Sequence, residues 1–134
     1  MKILRIPPEQ MAQRWSSIAP FLEDALTKAV ADENIDQAKV YLSSGQWLLL
    51  GGFEDETLLG AVAIQFSNRT NDRVAFVTAI GGKNIINDDS IEEFRNILKS
   101  QGATKIQGLA RESVARLWRR YGFVEKAILV ENKL

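Results

Sequence analysis

The side chains that could perform acid–base chemistry are restricted to a few types. The 134 residues include neither histidine nor cysteine. A Ser–His dyad, a thiolate nucleophile and a Cys-ligated zinc or iron–sulfur centre are therefore excluded, and we expect no metal. Any proton transfer must use Glu, Asp, Lys, Tyr or a water molecule. The candidates Glu33, Glu54, Asp55 and Glu56 are typical of solvated loop charges, because nothing in the sequence indicates burial or a partner.

Positive and negative charges balance over the whole chain, but one segment carries a net positive charge. Lys and Arg total 17, as do Asp and Glu, so the formal net charge is zero and gives no bulk attraction to nucleic acid or to an anionic membrane. Residues 111–120 carry four arginines against one glutamate, a local charge of +3. Arg116, Arg119 and Arg120 fall away from the apolar stripe, which is typical of a solvent-exposed face. Contact with a phosphate or with nucleic acid is the alternative.

The first part of the chain has the pattern of a strand followed by two helices. Alternation over residues 2–6 predicts a short strand that Pro7 and Pro8 end. Apolar residues then recur every three or four positions, which predicts an amphipathic helix that Pro20 should kink or split. Asn34 begins a capping box for a second, shorter helix that Gly45 ends. The apolar positions of the first helix are Met11, Trp15, Ile18, Leu22, Leu26 and Ala29.

The middle of the chain has the pattern of strands. Residues 46–50, 57–66 and 73–80 form three runs rich in apolar residues. We predict turns between them at Gly51-Gly52 with the following acidic residues, and at the polar residues 68–72. Three strands joined by such short turns indicate an antiparallel meander.

Helical spacing returns at Ser90. Ser90 and Glu93 have the spacing of a capping box, and Gly102 is the expected C-cap of this helix. Residues 105–110 then form a short strand. Ser113 can cap a last helix, which Gly122 ends and whose apolar face consists of Val114, Leu117, Trp118 and Tyr121.

Residues 123–130 close the chain as a predicted strand. The resulting order is β-α-α-β-β-β-α-β-α-β, which predicts an α+β fold with a mixed sheet. Because the length is that of one ordinary domain and no linker-like stretch interrupts it, we assign residues 1–134 to a single domain.

This element order resembles that of the GNAT (Gcn5-related N-acetyltransferase) fold, the acyl-CoA N-acyltransferase fold. The most specific motif is VARLWRRYGF at residues 114–123, which is similar to the family's Ala-x-x-Leu-Tyr helix followed by Gly-Phe. Two segments also resemble small GNAT-like proteins of tailed bacteriophages. They are LSSGQW at residues 42–47, and Ile80-Gly81-Gly82 followed at a distance by Gly108, Arg111, Gly122 and Phe123.

The resemblance implies a site for acetyl-CoA after the fourth strand. In the family, a glycine-rich loop opens the next helix and binds the cofactor's pyrophosphate, because N–H groups at a helix N-terminus attract anions. An ordinary glycine turn before an acidic helix cap is the alternative, because Asp88 and Asp89 would repel a diphosphate. The cofactor-binding residues that the resemblance implies are Thr78, Ile80, Gly81, Gly82, Lys83 and Asn84.

The family's general acid and general base have no obvious counterpart. Counting back from Gly122, the position of the family's tyrosine is Trp118, whose indole cannot act as an acid near neutral pH. A core position on the apolar stripe is the favoured interpretation of Trp118. Tyr121 lies roughly 300° further around the helix. No residue of the predicted strand at 73–80 is acidic, so we assign no catalytic residue.

Three functions remain open at this point. The resemblance implies transfer of an acetyl group from acetyl-CoA to a small-molecule or protein amine. The alternative is a non-catalytic, phage-encoded protein, virion-associated or partner-binding, that keeps the fold and meets a phage structural protein through its sheet edge or arginine face. A nucleic-acid module is third, supported only by the arginine segment. We expect no membrane partner, and a cytoplasmic location that becomes the host cytoplasm or the virion if a phage encodes the chain.

Overall fold

The computed structural model describes residues 1–28 and 31–134, which form a five-stranded sheet with helices on both faces. A short 3-10 turn at Pro8–Gln10 precedes the first helix. Ala29, predicted on that helix, lies outside the described residues. The strands are β1 (Lys2–Arg5), β2 (Leu48–Glu54), β3 (Thr57–Asn68), β4 (Arg73–Gly82) and β5 (Lys105–Gly108), and the helices are α1 (Met11–Lys28), α2 (Ile35–Ser43), α3 (Ile91–Ser100) and α4 (Glu112–Arg119).

The strands lie side by side in the order β1-β2-β3-β4-β5. The first four pair antiparallel, so the predicted meander is confirmed, and β5 pairs parallel with β4. A parallel neighbour requires a crossover connection, which α3 provides. The predicted α+β fold with a mixed sheet is therefore confirmed.

Alternate residues of the strands pack in two separate cores, one on each face of the sheet. Ala61, Ala63 and Ala79 face α1 and α2, where their small side chains let the helices lie close to the sheet. Val62 and Ile64, their neighbours on β3, face the opposite side and pack with the apolar residues of α3.

Helix α1 continues through Pro20, so the proline does not split it in two. Ile18 and Leu22, on either side of the proline, are completely buried, and this packing offsets the one backbone hydrogen bond that proline removes. No helix in the described part of the chain is long and apolar enough to cross a membrane.

Gly51 and Gly52 lie inside β2, so the prediction of a turn at these glycines is wrong. The chain reverses at Asp55, which adopts a positive φ of 52°. A Cβ atom on Gly51 would lie 2.9 Å from the side chain of Ile6, and one on Gly52 would lie 2.7 Å from Ile85. The two glycines are therefore explained by close packing within the strand.

Of the three predicted N-terminal helix caps, one is confirmed. The Asn34 capping box forms with both of its hydrogen bonds. The Ser90–Glu93 capping box is wrong, because Glu93 Oε1 accepts a 2.8 Å hydrogen bond from the backbone N–H of Ile3 in β1 instead. Ser113 is also wrong as a cap, because α4 begins one residue earlier and Ser113 lies within it.

The predicted last strand at residues 123–130 does not form. Residues 123–134 follow α4 without pairing with a strand that the structure describes. The alternating apolar pattern favours an extended chain, but a strand also needs a neighbour with free hydrogen-bonding groups. Here the segment is exposed, with Ile128 at 89% and Val130 at 85% of their full exposure.

Candidate functional site

Strands β4 and β5 pair along only part of their length and then diverge. Their pairing ends where Val77 lies beside Gly108, whereas β4 continues to Gly82. The register between β3 and β4 shifts at the same point and leaves Thr78 as the extra residue of a β-bulge. Within the described chain, the second half of β4 therefore has no strand partner on the β5 side, and an opening begins there.

Thr78, the first predicted cofactor-binding residue, is held by a hydrogen bond at the start of this opening. Its side chain is buried, and its hydroxyl oxygen accepts a 2.9 Å hydrogen bond from the Gln65 amide of β3. Gln65 in turn lines a polar pocket of about 290 Å³ whose other walls include Glu33, Tyr41 and Trp47. The bulge residue and this pocket are therefore connected through one side chain.

Gly81 and Gly82 form the end of β4 and touch the protein's own main chain. A Cβ atom on Gly81 would overlap the backbone carbonyl of Phe21 in α1. Gly82 adopts a φ of +114°, and a Cβ there would overlap the carbonyl oxygen of Leu59. Ile80, which precedes them, is partly buried against the core on the α3 side. Both glycines thus have a packing role.

Lys83 and Asn84 form the turn after β4. The backbone N–H of Lys83 donates to the Leu59 carbonyl, and that of Asn84 donates to the Gly82 carbonyl, each at 3.2 Å. Asn84 adopts a positive φ of 45°. The Lys83 side chain is exposed, with no carboxylate in ion-pair range among the described residues, so its ammonium group is available to an anion.

Asn87 caps the start of α3, a role that the sequence pattern assigned to Ser90. Its side-chain oxygen accepts hydrogen bonds from the backbone N–H groups of Asp89 and Ser90, at 2.9 and 3.0 Å. The buried Ser90 hydroxyl donates to the Ile85 carbonyl at 2.5 Å and accepts from the Asn87 N–H at 2.9 Å. This network fixes the conformation of the turn between β4 and α3.

An ion pair joins the turn before α3 to the residue that follows α4. Arg120, at the end of α4, lies 2.7 Å from the Asp88 carboxylate. The two residues are 32 positions apart, so no local sequence pattern could have indicated the pair. Because Arg120 neutralises Asp88, only Asp89 of the two acidic residues at the start of α3 remains to repel a phosphate.

Trp118 lies at the base of the opening. A Cβ atom on Gly108 would come within 2.9 Å of its ring and 3.6 Å of Val77, so the indole sits directly over the point where the strands diverge. The ring also packs 5.2 Å from that of Phe123, measured between centroids. These contacts support the interpretation of Trp118 as a packing residue.

Tyr121 is a functional candidate that the sequence pattern placed only on the apolar stripe. Partial burial raises the pKa of its hydroxyl above the ordinary value, the Asp88 carboxylate raises it further, and Arg120 lowers it. A tyrosine hydroxyl is already protonated at neutral pH at its ordinary pKa, and the shift moves it further in that direction. The pKa of Tyr121 is higher in the folded than in the unfolded protein. The protonated hydroxyl therefore contributes to the stability of the fold below about pH 10, and this contribution is lost as the pH rises through the shifted pKa.

We expect Asp88→Asn to lower the pKa of Tyr121 toward its ordinary value. The substitution removes the carboxylate that raises this pKa and leaves the Arg120 charge unopposed. The measurement is a phenolate absorbance titration in a Tyr41→Phe background, which leaves one tyrosine. Asp89→Asn, the neighbouring charge change, is the control, and equal titration curves for the two variants would contradict the assignment.

The arginine segment is partly neutralised by its own surroundings. Arg119 contacts the carboxylates of Glu112 and Glu125, at 2.9 and 2.8 Å, and Arg120 contacts Asp88. Two of the four arginines are therefore engaged with carboxylates, which reduces the positive charge that this face offers to a phosphate.

Comparison with solved structures establishes the fold. A probable acetyltransferase superimposes with a TM-score of 0.72 and 14% identity, over 100% of this chain and 97% of that one. A ribosomal-protein-alanine N-acetyltransferase from Brucella melitensis biovar Abortus 2308 matches with a TM-score of 0.70 and 16% identity, over the whole of both chains. These structural neighbours are GNAT acetyltransferases, and this chain has the GNAT fold.

One neighbour was solved with the cofactor. It is a protein from Clostridium acetobutylicum described as a predicted acetyltransferase with acetyl-CoA, and it matches with a TM-score of 0.62 and 13% identity, over 98% of this chain and 94% of that one. No protein-family model and no curated protein sequence matches this chain.

Proposed function

We propose that this protein is an acetyl-CoA-dependent N-acetyltransferase whose acceptor is a small-molecule or protein amine. The observation that carries the proposal is the divergence of β4 from β5 beyond Val77 and Gly108, at the bulge residue Thr78, in a chain with the GNAT fold. An unpaired strand segment offers backbone N–H and C=O groups to an extended ligand that contains amide groups.

Some of the predicted cofactor-binding residues would lie near the reacting end of acetyl-CoA, and the others near its phosphates. Thr78 and Ile80 border the opening along β4, where the reacting end would lie. The exposed ammonium group of Lys83 and the positive end of the α3 dipole would attract the phosphates to the turn at Lys83 and Asn84, while the N–H groups of Asp89 and Ser90 stay bonded to Asn87. Bound acetyl-CoA would supply the activated acetyl group. The chain's contribution to the rate is then the positioning of the amine against it and the exclusion of water.

Proton transfer in this proposal involves few protein groups. Strand β4 contains no acidic residue, so the proton of the attacking amine passes to a water molecule. Tyr121 is the candidate donor to the leaving thiolate, because its hydroxyl is protonated at neutral pH and lies near Asp88, in the turn between β4 and α3. Trp118, which lies deeper, offers only an N–H that cannot act as an acid.

Calorimetric titration with acetyl-CoA tests the proposal directly. We expect saturable binding of one cofactor per chain, followed by release of free thiol when primary amines are added. Absence of heat at millimolar acetyl-CoA would overturn the proposal. Binding without thiol release from a broad panel of amines would retain the cofactor site and overturn the catalytic step.

Lys83→Glu should weaken acetyl-CoA binding by about tenfold or more. The substitution replaces an exposed cation near the proposed phosphate position with an anion, and a charge-assisted contact contributes on the order of 1.5 kcal/mol or more. The measurement is the dissociation constant from the same titration. Lys2→Glu, the same charge change on β1 at the opposite edge of the sheet, is the control. Equal affinities for the two variants would refute the placement of the phosphates.

A second candidate function is a non-catalytic, phage-encoded protein that keeps this fold to bind a phage structural protein. It is favoured by the packing roles of Gly81 and Gly82 and by the internal hydrogen bonds of the Lys83 and Asn84 N–H groups. Both observations explain the turn without a cofactor. Under this proposal the chain would be found in the host cytoplasm or in the virion. Mass spectrometry of purified virions, combined with the absence of acetyl-CoA binding, distinguishes it from the enzyme.

A further inference from the structure

The polar pocket beside Gln65 brings together side chains that are distant in sequence. Glu33 precedes α2, Tyr41 lies on α2, Trp47 precedes β2 and Gln65 lies on β3. The pocket has a volume of about 290 Å³. Pockets for drug-sized ligands begin at about 300 Å³, so this one suits a small ligand or the end of a longer one.

Glu33 is the one charged residue among the described residues that line this pocket. Its side chain is partly buried, and no Lys or Arg of the described chain lies in ion-pair range of its carboxylate. The capping box of α2 does not use it either. Arg73, whose guanidinium lies 4.5 Å from the ring of the lining residue Phe66, donates hydrogen bonds to Asn68 and Gln101 instead. The Glu33 carboxylate is therefore available to a cation.

The neutral walls of the pocket suit an ammonium group. Tyr41 and Trp47 stack with their ring centroids 4.9 Å apart, which gives a rigid wall of low polarity and strengthens the attraction between the Glu33 carboxylate and a cation. The Gln65 amide nitrogen donates to Thr78, so the amide oxygen is the group left to accept from a ligand. An ammonium group donates three hydrogen bonds and accepts none, which matches these acceptors.

We infer that this pocket holds a second amino group of the acceptor as an ammonium ion, so that the acceptor is a diamine. The inference rests on the proposed acetyltransferase function. An amino group beside the Glu33 carboxylate is stabilised in its charged form, and an ammonium ion has no lone pair with which to attack an acetyl group. The group in the pocket therefore cannot be the nucleophile. The nucleophile is the other amino group, on the Thr78 side.

Gln65 connects the pocket to the reacting position at Thr78. Because one side chain spans the two, the amino groups of the acceptor are separated by a short aliphatic chain. In the reaction the neutral amino group forms a C–N bond to the acetyl carbon and the C–S bond of the thioester breaks. The amine proton passes to water, and CoA leaves as the thiol. The ammonium group in the pocket is unchanged and remains in the product.

Calorimetric titration with diaminobutane, without acetyl-CoA, tests the pocket by itself. Glu33→Gln removes the charge and keeps the shape, so it should weaken binding by about tenfold or more through the loss of a charge-assisted contact. Asp32→Asn, which removes a charge from the neighbouring exposed residue, is the control and should leave the affinity unchanged. Equal affinities for the two variants, or no binding to the unmodified chain at millimolar diaminobutane, would overturn the inference.

Turnover provides a second readout and identifies the source of the diamine. The value of kcat/KM for diaminobutane should exceed that for butylamine, which has one amino group, by at least about tenfold, and Glu33→Gln should remove most of this preference. A second arm compares a peptide that begins with lysine against the same peptide beginning with norleucine, which lacks the side-chain amino group. Preference in the first arm indicates a small-molecule acceptor, and preference in the second indicates a protein acceptor.

The two arms also separate this inference from the proposed function. Equal use of the diamine and the matched monoamine in both arms would overturn the inference and leave acetyl-CoA-dependent transfer intact. Absence of thiol release from every amine would overturn the proposed function. Binding of diaminobutane that depends on Glu33 would then still support the diamine site.

Discussion

Replacing Gly81 with alanine should lower the free energy of unfolding by about 3 kcal/mol. The added Cβ would overlap the main-chain carbonyl of Phe21, and its distance to the carbonyl carbon would be only 2.9 Å. A side chain could rotate away from such a contact, but a helix backbone cannot. Helix α1 would have to move off the end of β4, and Leu22, which is completely buried beside Phe21, would lose contacts as it moved.

The effect is measured by chemical denaturation, and Gly122→Ala is the matched control. Gly122 has a positive φ of +89° but no atom within 4 Å of its expected Cβ. Its substitution therefore carries only the conformational cost, roughly 1 kcal/mol. For a chain of this length, the Gly81 variant should melt roughly 10 °C below the unmodified protein. Equal destabilisation by the two substitutions would show that α1 tolerates the extra atom.

The elements of the fold could be predicted because their signals are local. The periodicity of apolar residues located the helices and the core of each strand, and the Asn34 capping box has all of its partners within four positions. Gly51 and Gly52 could not be interpreted in this way. Glycine occurs in turns and also where another chain segment packs closely against the backbone. The contact that distinguishes the two roles here, with Ile85, is distant in sequence.

Two other errors also came from contacts that are distant in sequence. Glu93 has the correct spacing for a capping box, but it binds the backbone of Ile3, 90 positions away. At residues 123–130 the alternating pattern predicts a strand, and that prediction is wrong, because the segment pairs with no strand that the structure describes. The pattern contains no information on where a free strand edge lies, and the edge of β5 lies across a groove.

The candidate site could be predicted only in outline. The resemblance predicts it around the end of the fourth strand, and β4 diverges from β5 beyond Val77, before that end. Two contacts near the candidate site were not predictable from the sequence alone. They are the Asp88–Arg120 ion pair, which changes the local charge, and the Gln65–Thr78 hydrogen bond, which holds the bulge residue. Both join residues on different elements.

Ser90→Ala should reduce both the stability of the protein and its proposed affinity for acetyl-CoA. The Ser90 hydroxyl is completely buried and satisfies the Ile85 carbonyl and the Asn87 N–H at once. Alanine would leave both main-chain groups without that partner, at a cost of about 2 kcal/mol. The turn would then hold Lys83, Asn84 and the start of α3 less firmly, so the charges proposed to attract the phosphates would lose their fixed positions.

Ser100→Ala is the control that shows whether the effect of Ser90→Ala is specific to the Ser90 hydroxyl. The Ser100 hydroxyl also donates a 2.5 Å hydrogen bond, to the Ile97 carbonyl, but in an exposed position where water can replace it. We expect its removal to change stability by less than about 0.5 kcal/mol and acetyl-CoA affinity not at all. If Ser90→Ala lowers stability but leaves the dissociation constant unchanged, the turn is structural and the phosphates bind elsewhere. Because Lys83 lies in the same turn, Lys83→Glu should then also leave the affinity unchanged.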